Sequence, residues 1–438
     1  MQMNEIKNNI VMRRFKLLLS ALCVTVCMPL MAQNVNHVND DVSTIDRHSS
    51  RAYRPGEVIV NFKPTSPVKV SASRTGAVRS NVSLVDTLFA QLGVTAAEQL
   101  MPLAGSGGPA RVKSHTGKYI ERTDLSKLYR LQLDAEKGVT VDEAIKELAN
   151  LPEVEFAEPN YLVYALSTPP ADHDESDENT YRKEPLFKEQ WYIEAVHLTH
   201  LWKQEKISDK RPVIAILDTG VDITHPDLAD NIWTNGAENK GFGENDDDAN
   251  GLMDDIHGWD FVNQSARMRD NNGHGTHVAG IAAAVGNNGI GIAGANPEAL
   301  IMPVTVMQSD GTGDVATIIK GIDYATANGA DIINMSLGTY AHSVAMEQSL
   351  ARAYNKAVLV AAAGNDRENI CKPCSYMNKP MFPAAFSFVL GVEAVDRSGS
   401  RAGFSNFDPD GPVFSHFGEE KLYNYELRAP GVEIMSTY

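Results

Sequence analysis

Apolar residues gather in two patterned regions of the chain, each with its own rhythm. In the first, the strand pattern Glu57-Val58-Ile59-Val60-Asn61-Phe62 is followed by a helical run from Leu84 to Leu92 and a second alternating strand from Leu128 to Leu133. Thr140 to Leu151 then carries Val141, Ala144, Ile145 and Leu148 on one helical stripe, and Val154 to Ala157 reads as a further short strand. Two helices among three strands predict a small α+β unit over residues 54–165. The second region alternates strands and helices. Val213 to Leu217, Leu300 to Val306, Ile332 to Met335 and Val358 to Ala362 read as strands. Between them lie a helix opening at His274, one over Val315 to Ala327 and one over Val344 to Tyr354. The helix from Val315 has Val315, Ile318, Ile319 and Ile322 on one face, Asp314 at its N-cap position and Gly329 as its stop. Strands alternating with helices predict an α/β domain with a doubly wound parallel sheet over residues 185–438.

The flanks and composition place these regions in context. Arg13, Arg14 and Lys16 precede an apolar run from Leu17 to Met31, the layout of a signal peptide over residues 1–32. The run is short and nothing comparable recurs, so no stable membrane span is expected, and the protein is read as secreted or held in the cell envelope. Residues 166–184 are rich in Pro, Asp, Glu, Asn and Ser and form an acidic linker where maturation cleavage would fall. The net charge of −17 excludes nucleic acid as a partner, because a phosphate backbone needs a basic face. Cys371 and Cys374 are the two cysteines beyond the signal. In an exported chain their spacing suggests a local disulfide, with half of a zinc site as the alternative.

The candidate chemistry sits at the carboxyl ends of the predicted parallel strands, where open α/β sheets bind ligands. Asp218 ends the strand that begins at Val213 and is followed by Thr219-Gly220. His274 lies at a helix N-terminus, where the dipole favours the neutral imidazole that a general base requires. A structural aspartate and a buried structural or metal-binding histidine are the alternatives. Asn365 closes Val360-Ala361-Ala362-Ala363-Gly364. Gly289 to Gly294 matches a dinucleotide fingerprint, but it follows a helix and leads into a strand, the reverse of what that fingerprint requires. Asp246, Asp248, Asn250 and Gly251 begin like an EF-hand loop. His257 stands at the twelfth position, where a bidentate Glu belongs, but Asp254 and Asp255 can substitute, so a second calcium site is expected here, with a plain solvated acidic loop as the alternative.

ILDTGVDITHPDL at Ile216 to Leu228 and HGTHVAG at His274 to Gly280 resemble the motifs of subtilisin-like serine proteases (peptidase S8), in the Asp-then-His order of that triad. VIVNFK at Val58 to Lys63 and VEFAEPNY at Val154 to Tyr161 resemble the family's inhibitory, ferredoxin-like propeptide domain. The resemblance implies that Asp218 orients His274, that His274 is the general base and acid, and that Asn365 donates to the oxyanion. It implies that Ser336, Leu337, Gly338 and Gly364 line the edge that pairs with polypeptide substrates. It further implies a structural calcium held by Asp227 and Asn288, with Glu184 as a weaker match.

In the family the nucleophile lies in a Gly-Thr-Ser-Met-Ala string after a segment similar to APGVEIMSTY, and residues 1–438 contain no such string. The 438-residue chain by itself is therefore expected to be at most feebly active. The expectation is a secreted endopeptidase made with its own propeptide. The alternatives are a serine-less pseudoprotease that binds peptides and an unrelated calcium-dependent binding protein.

Overall fold

The computed structural model describes residues 52–72, 78–103, 111–115, 117–166, 184–203, 210–238, 246–370, 379–409 and 423–438. The signal-peptide region, residues 167–183 of the linker, and the Cys371 and Cys374 pair lie outside them.

The N-terminal unit runs β1 (Tyr53–Phe62), α1 (Ser83–Leu92), β2 (Val94–Gln99), β3 (Leu128–Leu133), α2 (Val141–Ala149) and β4 (Val154–Ala165). Its antiparallel sheet has the order β2-β3-β1-β4. That is the ferredoxin-like arrangement, with β2 a strand that its mixed small and polar composition did not announce. The helix predicted from Thr140 forms because Thr140 and Glu143 make a reciprocal capping box, each side chain holding the other's backbone N–H. Val58, Val60, Phe62, Val85, Phe89, Leu131, Ala144 and Leu148 close the core of this unit.

The second unit holds a seven-stranded parallel sheet. Its order is β6 (Trp259–Asp260), β7 (Leu300–Thr305), β5 (Val213–Asp218), β9 (Ile332–Met335), β11 (Val358–Ala362), β12 (Leu390–Val395) and β13 (Leu427–Pro430). Alternate residues of central strand β5 face opposite ways, as the pleat dictates. Ile214 and Ile216 pack with Val278, Ala279 and Ala282 of α3 (His274–Ala283). Ala215 and Leu217 fall in the cluster with Ile318, Ile319 and Ile322 of α4 (Val315–Ala327) and Leu350 of α5 (Val344–Ala353). Helices therefore cover both faces, and the doubly wound expectation is met.

The largest departure from the sequence reading is β4. The short strand expected over Val154–Ala157 runs on to Ala165, because it leaves its own unit and continues pairing on the larger one. Leu162, Val163 and Tyr164 pair antiparallel with Asp314, Gly313 and Thr312 of β8 (Thr312–Asp314). Tyr164 and Ala165 pair on the other side with Gly338 and Leu337 of β10 (Leu337–Gly338). One strand thus joins the two units. Two ionic contacts cross the junction, Lys320 with Glu98 at 2.8 Å and Arg54 with Asp314 at 3.2 Å, and Arg130 of the N-terminal unit holds Glu98 from its own side at 2.7 Å, around a polar cavity of about 430 Å³.

Candidate active site

The site forms where β5 ends and α3 begins. Asp218 is fully buried at the last position of β5, and its Oδ1 lies 2.6 Å from Nδ1 of His274, the first residue of α3. The Thr219 amide donates to the same Oδ1 at 2.7 Å. The close approach of the two segments explains their glycines. A Cβ at Gly275 would stand 2.0 Å from the Gly220 carbonyl oxygen, and Gly220 has φ +120 with the Arg269 carbonyl 2.1 Å from where its own Cβ would be. Asp270, which the sequence reading missed, holds the turn before α3. It accepts from the amides of Asn272, Gly273 and Thr276 and from the hydroxyls of Thr219 and Thr276. Its sequence signal is an aspartate just ahead of a helix start, the ordinary preference for an acceptor at that end.

His277, one turn along α3, is nearly fully buried, with Nε2 3.3 Å from the Ile434 carbonyl. Burial, and secondarily the neighbouring His274 charge, push its pKa down to about 3. It is a neutral structural donor, not a second base.

The other ring nitrogen of His274 faces the chain's own backbone. Nε2 lies 3.1 Å from the Leu166 carbonyl oxygen, just past the end of β4. The Leu166 amide donates to the Ser336 carbonyl at 3.0 Å, and Ala165 donates to that of Gly311 at 2.8 Å. Both ring nitrogens of His274 lie within hydrogen-bonding distance of an oxygen atom. Ser336, Leu337 and Gly338 thus pair with an extended peptide, and the peptide is residues 164–166.

Asn365 sits half-buried in the loop after β11, following Gly364 at φ +107. Fully buried Asn406 shapes that loop. It donates to the Ala363 carbonyl and accepts from the amides of Asp366 and Glu368, while its own amide donates to the Gly364 carbonyl. Nothing in the spacing of the sequence pointed to Asn406, which lies 40 positions downstream of the loop.

Two loops gather oxygen ligands. In the first, Asn288 Nδ2 donates to Asp227 at 2.8 Å, and Glu184 accepts from the amides of Asn288 and Ile290. Burial raises the pKa of both carboxyls, and the Asp227 charge adds to the shift at Glu184. Two buried carboxylates facing one loop offer oxygen donors of the kind calcium takes, although each oxygen accepts a hydrogen bond from the 288–292 loop. In the second loop, Asp248 stands beside Glu238 and Asp255, with ligand oxygens within 4.8 Å of one another. Asp246 instead accepts from the amides of Asn250 and Gly251, and Asp254 lies outside this group. Asn250 bridges Asp248 and Asp255 through its side-chain amide.

Comparison with known proteins agrees with this geometry. The model of the subtilase family matches residues 209–438, and that of the fervidolysin N-terminal prodomain matches residues 105–160. The chain is 36% identical to the thermophilic serine proteinase of Bacillus sp. (strain AK1), over 68% of this chain and 60% of that protein. It is 33% identical to the minor extracellular protease Epr of Bacillus subtilis (strain 168), over 69% of this chain and 39% of that one. Against thermitase of Thermoactinomyces vulgaris it is 36% identical over 51% of this chain and 64% of the other. The chain therefore spans less than two thirds of the length of each of these relatives. The crystal structure of fervidolysin from Fervidobacterium pennivorans, a keratinolytic enzyme related to subtilisin, shares the fold. Its TM-score is 0.57 at 22% identity, covering 94% of this chain and 50% of that one. With an Asp–His pair at the sheet's carboxyl edge and a prodomain strand laid beside it, the chain belongs to the subtilase family.

Proposed function

We propose that this protein is a secreted subtilisin-like serine endopeptidase made with its inhibitor attached, and that the inhibitor is severed between Leu166 and Ser167. The observation that carries the reading is the pose of β4. Its tail is threaded antiparallel between β8 and β10, and the Leu166 carbonyl oxygen stands 3.1 Å from His274 Nε2. A polypeptide substrate held the same way presents the bond after its Leu166 equivalent to the base. Leu166 is buried among the apolar residues of the larger unit, so the class of substrate favoured is one with an aliphatic residue before the scissile bond.

In the reaction, His274 Nε2 takes the proton of a serine hydroxyl as that oxygen bonds to the carbonyl carbon. It then returns the proton to the leaving amine, and water repeats the cycle to release the acid. Asp218 fixes the Nδ1–H tautomer and stabilises the imidazolium. Asn365 supplies the side-chain donor to the oxyanion. Loss of that donor costs about 10²–10³ in turnover in subtilisin, a family value and not one worked from this structure. The nucleophile in the family is the serine of a Gly-Thr-Ser segment, a string that residues 1–438 do not contain. Calcium bound at Glu184, Asp227 and Asn288 would tie the 288–292 loop to the segment that follows β5 and so stiffen the site's periphery.

The test uses the coding sequence extended past codon 438. The product should label with a serine-directed fluorophosphonate, and its mature form should begin at Ser167. His274→Ala should abolish both labelling and maturation. Labelling that survives in His274→Ala, or a first cleavage at any bond other than Leu166–Ser167, would overturn the assignment.

A further inference from the structure

Asp218 has one oxygen that the Asp–His pair does not use. Its Oδ1 takes both the His274 contact and the Thr219 amide, while its Oδ2 is buried and without a hydrogen-bond partner in the chain. The neighbouring strand supplies an equally isolated hydroxyl. Thr305, the last residue of β7, is 3% exposed, and its Oγ1 is buried with no partner. Thr305 stands directly opposite Asp218 in the parallel register of β7 and β5. The pleat sends both side chains to the same face: Ile301 and Ile214, four residues earlier on each strand, both pack in the cluster that includes Val278 and Ala282 of α3. Adjacent strands lie roughly 4.8 Å apart, so a threonine hydroxyl reaches its neighbour's carboxylate directly or across a single water. β7 also grips the Asp218 backbone, since the Val306 and Met307 amides donate to its carbonyl oxygen at 2.9 and 3.2 Å. The other acceptors on this side are already served. Asp260, opposite Thr305 on β6, takes the amides of Val262 and Asn263 on Oδ1 and the Asn263 side chain on Oδ2. Asp270 is filled by the turn before α3. Ser336, two residues past Asn334, whose strand partner is Ile216, carries a competing hydroxyl, which accepts from Asn334 Nδ2 at 3.1 Å.

We propose that Thr305 is a positioning residue for the Asp218–His274 pair, its hydroxyl serving Asp218 Oδ2 directly or through one water. The proposal rests on reading that pair as the catalytic base and places a third member behind it. The donated hydrogen bond has two consequences. It stops the carboxylate from turning, so that Oδ1 stays on His274 Nδ1, 2.6 Å away. It also draws negative charge onto Oδ2 and lowers the basicity of the carboxylate. An aspartate with Oδ2 bare holds an imidazolium more tightly, which leaves less neutral imidazole to accept a proton at neutral pH.

NMR titration of the His274 ring in the 438-residue chain tests this. The measurement needs no nucleophile, so failure of the protease reading leaves it untouched. Thr305→Val keeps the shape and removes the hydroxyl, whereas Thr305→Ser keeps the hydroxyl and removes the methyl. In Thr305→Val the His274 pKa should rise by roughly half a unit or more and its Nδ1 proton resonance should move, while Thr305→Ser should titrate as the wild type does. A residue that only packs gives the opposite pattern: Thr305→Ser loses stability, and neither variant shifts the titration. Should Thr305→Val fail to fold, the wild type still decides, because a buried, hydrogen-bonded hydroxyl proton exchanges slowly and gives its own resonance. An unshifted His274 titration in Thr305→Val, a shift in Ser336→Ala with none in Thr305→Val, or a Thr305 hydroxyl proton in fast exchange with water would overturn the proposal.

Discussion

Glu158 offers the sharpest test of how the prodomain holds the larger unit. It lies on β4, is 7% exposed, and reaches across the junction to the N-terminus of α5. Its carboxylate accepts from Ser343 Oγ at 2.7 Å and from the amides of Val344 and Ala345 at 2.8 and 3.0 Å. Ser343 keeps its own capping bond with the Met346 amide, so truncating Glu158 orphans the two backbone donors and one hydroxyl partner. A bond to a charged acceptor contributes about 1.5–3 kcal/mol, and the negative charge adds up to about 1 kcal/mol against the helix dipole. Allowing for water that enters the vacated space, Glu158→Ala should cost roughly 3–5 kcal/mol at this contact. Glu158→Gln should cost about half as much, because its amide group turns a donor toward one of the same donors. Two docked units do not unfold in a single step, so local hydrogen exchange is the better assay. The Val344 and Ala345 amides should lose roughly 10²- to 10⁴-fold protection in Glu158→Ala, with Glu158→Gln in between. If both variants keep wild-type protection there, the cap does not hold the junction and the reasoning fails.

Two further outcomes follow from single residues. His277, with a pKa pushed down to about 3 in the fold against an ordinary value of 6.5, binds its proton more readily when unfolded. Its contribution to stability is complete above pH 6.5 and is lost as pH falls toward 3, by roughly 1.4 kcal/mol per pH unit. Urea midpoints measured across that range should fall less steeply in His277→Gln, and parallel slopes would refute the assignment. Gly275→Ala places a methyl group 2.0 Å from the Gly220 carbonyl, against backbone that cannot rotate away, and should cost at least about 1–3 kcal/mol and displace His274. An unchanged melting temperature would show that the two segments are less closely packed than described.

Asp218, His274 and the sheet that carries them were legible in the chain because each is a local property. An apolar run ending in Asp-Thr-Gly is a strand with a sharp exit, and a glycine-flanked histidine before small residues is the head of a buried helix. The glycines already encode the close approach, since no other residue fits there. Similarly, the stripe of Val141, Ala144, Ile145 and Leu148 signalled α2 from neighbouring positions. What the chain in one dimension did not reveal was everything set by contacts between distant segments. Val154–Ala157 reads as a complete short strand, and only the free edges of β8 and β10 extend it to Ala165 and carry Leu166 to His274. Glu158 looks like an exposed strand residue until α5 meets it, and Asn406 like a turn residue until the 363–368 loop folds over it. The acidic loop shows the division most plainly. Its sequence implied that Asp246, Asp248, Asn250 and Asp254 or Asp255 act together by their spacing, whereas the tertiary structure commits Asp246 to backbone amides, selects Asp255 over Asp254 and brings in Glu238. Spacing governs which residues share a turn; which carboxylates share a buried volume is decided by the packing that removes them from water.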